Sequence, residues 1–141
     1  MRKFDEYIKE GIIRNVSSNA ERAKDLRKEA ARKFAALNEK VEKLGVRDDN
    51  ANDYVEYCYD LIMALIRAKL FLKGYLSNGQ GAHEAEVSYL EKLEFSESDV
   101  NFTDKLRYFR NGILYYGKQF DSEYANKVIG FTKKVYLRLS K

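Results

Sequence analysis

In YVEYCYDLIMALIRAKLFLKGY, residues 54–75, the apolar side chains do not keep to one face. Tyr54, Cys58, Leu61, Leu65, Ala68, Leu72 and Tyr75 step by four and three, the spacing of a helical stripe. Val55, Ile62, Ile66 and Leu70 widen that stripe almost to the full circumference. A helix that is apolar on nearly every side has to be enclosed by other helices. This run is therefore expected to form the centre of an all-α protein.

The flanking sequence supplies the neighbours. A first helix is predicted over about residues 3–15, with Phe4, Tyr7, Ile8, Gly11 and Ile12 on one face. Ser18 with Glu21 fits a capping box that starts a second helix, which runs to Leu44 and ends at Gly45. VRDDNAND follows as a polar linker in which Asn50 or Asn52 can cap the central helix. After the glycine-rich turn LSNGQGA, HEAEVSYLEKLEF reads as a short fourth helix, and SESDVNFT reads as a loop with Asn101 or Thr103 capping a fifth. A sixth covers about residues 122–139, turning Tyr124, Val128, Phe131 and Val135 inward. The chain holds no proline and only eight glycines, so helix breakers and hairpin formers are scarce. The expectation is one domain, an up-and-down bundle of five or six helices over 141 residues.

Composition narrows the function classes. At 45% hydrophobic and 13% aromatic the chain is too apolar for a disordered tail, and no stretch approaches the roughly 20 apolar residues of a membrane helix. MRKFDEYIKE lacks the unbroken apolar run of a signal peptide, so a cytoplasmic location is expected. The net charge is +4 with the signs interleaved, which permits nucleic acid without demanding it. Along the second helix, Arg22, Lys24, Arg27, Lys28, Arg32 and Lys33 alternate with Glu21, Asp25 and Glu29, as on a solvated face laced with ion pairs or a face that grips RNA. One cysteine, Cys58, and one histidine, His83, cannot furnish a metal shell, and the glycines of LSNGQGA lack the lysine and hydroxyl residue of a phosphate loop. No metal and no cofactor are expected.

The candidate site lies in LRYFRNGILYYGKQF, residues 106–120. Leu106, Phe109, Ile113, Tyr116 and Phe120 step as a buried seam, which assigns Tyr116 to the core. Arg107, Arg110, Asn111, Leu114 and Lys118 form a second strip with three positive charges around one amide, chemistry suited to a phosphate. Arg107 can instead pair with Asp104, and Arg110 can lay its stem over the core or bond a partner subunit. Asp60, on the polar edge of the central helix, is expected to pair with Arg67 or Arg110.

From about Tyr54 onward, LIRAKLFLKGYLSNGQGAHEAEVSYL and LRYFRNGILYYG resemble the helix pair and signature helix of HEPN domains, the "higher eukaryotes and prokaryotes nucleotide-binding" family. Residues 1–50 fall outside the resemblance. The signature is an arginine, usually with a polar neighbour, and a histidine four to six residues beyond. Arg110 and Asn111 match the first two, and Tyr115 stands where the histidine belongs. The resemblance implies an antiparallel homodimer with Arg110 and Asn111 in a shared cleft, a nucleotidyltransferase partner, and RNA or nucleotide as ligand. Active relatives are metal-independent ribonucleases, several of them toxins. Histidine ionises near 6.5 and tyrosine near 10, so a tyrosine at that place removes the group that exchanges protons at neutral pH. His83, on the fourth helix, is the one histidine that could replace it. Some relatives carry a tyrosine that is modified with AMP; its place here is Gly117, beside Tyr115 and Tyr116. The expectation is thus a non-catalytic binding protein. The alternatives are a ribonuclease using Tyr115 or His83, and a structural helical adaptor.

Overall fold

The computed structural model describes all 141 residues and places six α-helices around one another: α1 (Phe4–Lys9), α2 (Ala20–Leu44), α3 (Ala51–Lys73), α4 (Ala82–Ser88), α5 (Glu97–Tyr116) and α6 (Ser122–Leu139). As the apolar circumference of residues 54–75 requires, α3 is the axis, with 13 of its residues buried. It packs along α2 and α6 and meets α4 and α5 at its sides. Leu61, Ile62, Leu65 and Ile66 are completely enclosed, each contributing about 2 kcal/mol through lost apolar exposure. The fold is an all-α bundle, and its core runs without interruption from Phe4 to Leu139.

Helix ends follow local chemistry. Gly45 ends α2 and Gly117 ends α5, both at positive φ. The caps differ from the expected ones. Asn19, rather than Ser18, accepts the Arg22 N–H at 2.9 Å and starts α2. Ser96 caps α5 by accepting the Asp99 N–H at 3.1 Å, so most of SESDVNFT is helical and neither Asn101 nor Thr103 serves as a cap. A serine, free of any competing helix before it, nucleates the turn five residues earlier than the asparagine could. Asn50 occupies the N-cap position of α3 without a capping side-chain bond, while Asn52 reaches across the fold. Its amide donates to the Lys118 carbonyl at 2.8 Å and accepts the Phe120 N–H at 2.9 Å, tying down the connection between α5 and α6.

The first helix is shorter than its pattern suggests. It stops at Lys9, and the chain turns through Gly11 into a strand, β1 (Ile13–Asn15), paired antiparallel with β2 (Tyr75–Ser77) directly after α3. Tyr75 therefore belongs to a strand and not to the helical stripe. The turn into β2 depends on Gly74, at φ 78°, whose carbonyl accepts the Val16 N–H at 2.7 Å. A Cβ at this position would stand 2.4 Å from the Val16 carbonyl oxygen. Phe4 and Tyr7, buried at 1% and 0% exposure, anchor α1; the Phe4 ring sits 4.7 Å from that of Tyr89 and 5.1 Å from that of Tyr75.

Both a left-handed backbone and a backbone clash oppose a side chain at Gly74. Gly74→Ala is expected to cost more than about 2 kcal/mol in chemical denaturation, with the N-terminal arm losing amide protection first.

Candidate functional site

The strip on α5 does not stay together. Successive helical residues point about 100° apart, so Arg110 and Asn111 face different neighbours. Arg107 and Asn111, one turn apart, line a cleft of about 640 Å³ whose opposite wall is the glycine-rich turn, with Gln80, and the start of α4, with His83 and Glu84. Arg2 from the N-terminal arm closes one end. Arg110, expected beside Asn111, is absent from this cleft.

Arg110 turns instead toward α3. Its Nη2 donates to Asp60 Oδ1 at 3.4 Å, and its guanidinium carbon lies 5.3 Å from the Tyr59 ring centroid. This settles the Asp60 alternative in favour of Arg110. Arg67 pairs with Glu86 instead, through two bonds at 3.0 and 3.1 Å. Behind Arg110, its own Nε and the Tyr59 hydroxyl are buried without hydrogen-bond partners. Burial pushes the Tyr59 phenol up to about 12, against the opposing pull of the Arg67 and Arg110 charges.

Within the cleft Arg2, Arg107 and Glu84 all have partners. Arg107 Nε donates to Asp104 Oδ1 at 3.0 Å, and its Nη2 stands 3.9 Å from Glu84. Glu84 in turn accepts a hydrogen bond from the Tyr7 hydroxyl. Desolvation, then the Glu84 bond, raise the Tyr7 phenol to about 12. Arg2 pairs with Glu10 and lies 4.5 Å over the Tyr7 ring. His83 is exposed and makes no ion pair, and its imidazole stands on the wall opposite Arg107 and Asn111. The cleft offers an anion the guanidiniums of Arg2 and Arg107, the amides of Gln80 and Asn111 and the imidazole of His83, with carboxylates already partnering both arginines.

The remaining expected residues lie elsewhere. Lys118 follows the end of α5 and lines a separate depression with Phe120, Asp121 and Tyr124; its Nζ is 5.8 Å from the Phe109 and Phe120 ring centroids. Tyr115 is exposed, and Tyr116, assigned to the core by its spacing, is 88% exposed. Of the expected seam only Leu106 is fully buried; Phe109 and Ile113 are half-buried, Phe120 is half-buried beyond the end of α5, and nothing covers Tyr116 in the last turn. Tyr108, Leu114, Tyr115 and Tyr116 are all exposed in the second half of α5. Cys58, at the core, has a thiol raised to about 11 by burial, which leaves it unreactive. No three His, Cys, Asp or Glu side chains converge on a possible metal position, and no helix is long and apolar enough to cross a membrane.

The roles of Arg2, Gln80 and Glu84 had no signal in the sequence; the Tyr7–Glu84 bond joins residues 77 apart. No model of a known protein family matches the chain, and no characterised protein or solved structure matches it.

Tyr7, Tyr59 and Tyr124 all hold their phenol protons to about 12, against 10 for a free tyrosine. Between those values the unfolded chain has released protons that the folded chain retains, so stability is lost as pH rises from about 10 toward 12. Denaturant melts across that range should show a falling midpoint. Tyr59→Phe should flatten the fall.

Proposed function

We propose that this protein is a HEPN-like, non-catalytic binding module that takes a phosphate-bearing ligand, a nucleotide or RNA, in the cleft between the glycine-rich turn and α5. The observation that carries this reading is the pairing of Arg107 and Asn111 on one wall with His83 and Gln80 on the other. A guanidinium and amide side by side bind and orient phosphate oxygens. The motif arginine of the resemblance, Arg110, serves the bundle by holding α5 to α3, and Arg107 takes the phosphate-facing position in its place. A homodimer is part of the proposal: the exposed Tyr108, Leu114 and Tyr115 border this face of α5 and offer an apolar surface to a second copy or to a nucleotidyltransferase partner.

The second reading, a metal-independent ribonuclease, gains support from one fact. His83 lines the same cleft as Arg107 and Asn111, so a proton-exchanging group is present although the residue at Tyr115 is not one.

Binding of fluorescent single-stranded RNA and ATP, measured by anisotropy at low salt with EDTA present, separates the readings. The binding module predicts saturable association that weakens with added salt, an intact RNA, and about a tenfold loss of affinity for Arg107→Ala or Asn111→Ala. Cleavage abolished by His83→Ala would establish the ribonuclease instead, and absence of any binding would leave the structural adaptor. A solution mass near that of one chain, 16.5 kDa, would remove the dimer from the proposal.

A further inference from the structure

A second pocket, of about 310 Å³, forms where the start of α2, the end of α3, β2 and α4 meet. Its chemistry differs from that of the cleft. Five of its nine lining residues are hydrophobic, against one of nine in the cleft, so it suits an apolar body. Leu26, Leu70, Phe71 and Leu76 form the apolar walls.

The polar side is built around Glu86, a carboxylate only 6% exposed. Arg67 donates to it from Nε and Nη2, and the Ser77 hydroxyl donates at 2.9 Å. These three bonds satisfy both carboxylate oxygens and compensate the charge. Arg67 has donors to spare: two of its five N–H groups are used, and its side chain is 33% exposed. Arg22, also lining the pocket, lies 4.4 Å over the Phe71 ring and makes no ion pair. Two guanidiniums against one carboxylate leave one positive charge uncompensated beside an apolar wall.

We propose that this pocket binds a small carboxylate with an apolar body, its head taken by Arg22 and the free end of Arg67 and its body by the leucine and Phe71 walls. The Glu86–Arg67–Ser77 network fixes the orientation of the Arg67 fork before the ligand arrives, which lowers the cost of ordering it. Arg22 completes the head-group contact from α2, without bonding to that network.

An amide NMR titration of the full chain with sodium octanoate, octylammonium chloride and sodium acetate tests this. Octanoate is expected to shift the amides of Arg22, Phe71 and Leu76 saturably, with a Kd on the order of 1 mM or tighter. Acetate lacks the body and octylammonium carries the wrong charge, so each should bind at least about tenfold more weakly. Arg22→Ala should weaken octanoate about tenfold, Leu26→Trp should fill the pocket and abolish the shifts, and Lys24→Ala, the same charge change two residues away, should leave them unaltered. Equal responses to octanoate and octylammonium, shifts centred outside these residues, or an octanoate Kd unchanged by Arg22→Ala would each overturn the proposal.

Discussion

Enclosure of α3 is the constraint on which the rest of the molecule depends. A helix with 13 buried residues confines its polar groups to its edges. Two such groups sit at its edges, and each selects a partner helix: Asp60 takes Arg110 from α5, and Arg67 takes Glu86 from α4. The Arg67–Glu86 contact is the better satisfied, with two guanidinium bonds and a hydroxyl on a carboxylate that is almost wholly buried. Removing Arg67 would strand the buried Glu86 carboxylate, which ties the position of α4 to that of α3. The cleft and the second pocket are both walled in part by α4, so both inherit their shape from this one contact.

The diversion of Arg110 has the same origin. On an isolated helix Arg110 and Asn111 are adjacent polar residues of equal standing. Packed against α3, α5 presents Arg110 toward Tyr59 and Asp60, and Asn111 toward the glycine-rich turn. The cost of that arrangement is visible in the unpartnered Arg110 Nε and Tyr59 hydroxyl, buried side by side in the region where α3 and α5 meet. Burial raises the phenol of Tyr59 against the pull of the nearby arginines, and Arg110 is held by its contact with the Tyr59 ring and a single long hydrogen bond.

The N-terminal arm, outside the HEPN resemblance, is integral to the cleft. Phe4 and Tyr7 are core residues, and the Tyr7 hydroxyl reaches Glu84 while Arg2 closes the opening. Lys3 and Lys92 add ion pairs to Glu91 and Asp5, at 2.9 and 3.3 Å, that fasten the arm to the segment following α4. These exposed pairs contribute little individually. The aromatic contacts of Phe4 with Tyr75 and Tyr89 carry most of the attachment.

Apolar periodicity determined the fold class, the central place of the helix that ends at Lys73 and the span of the sixth, and Gly45 marked the end of the second at Leu44, because these follow from residue spacing and type along one chain. Where a helix stops for want of a neighbour is a different kind of fact. Gly11 and the pairing of β1 with β2 shortened α1, and no element of the fold covers the face of α5 that carries Tyr116, although both stretches have sound helical spacing. The candidate site divides the same way. Arg107 and Asn111 were legible as neighbours one turn apart, since helix geometry places them together. That Arg110 would leave them for Asp60, and that His83, Glu84 and Arg2 would arrive, depended on contacts between residues distant along the chain, which only packing around α3 could choose.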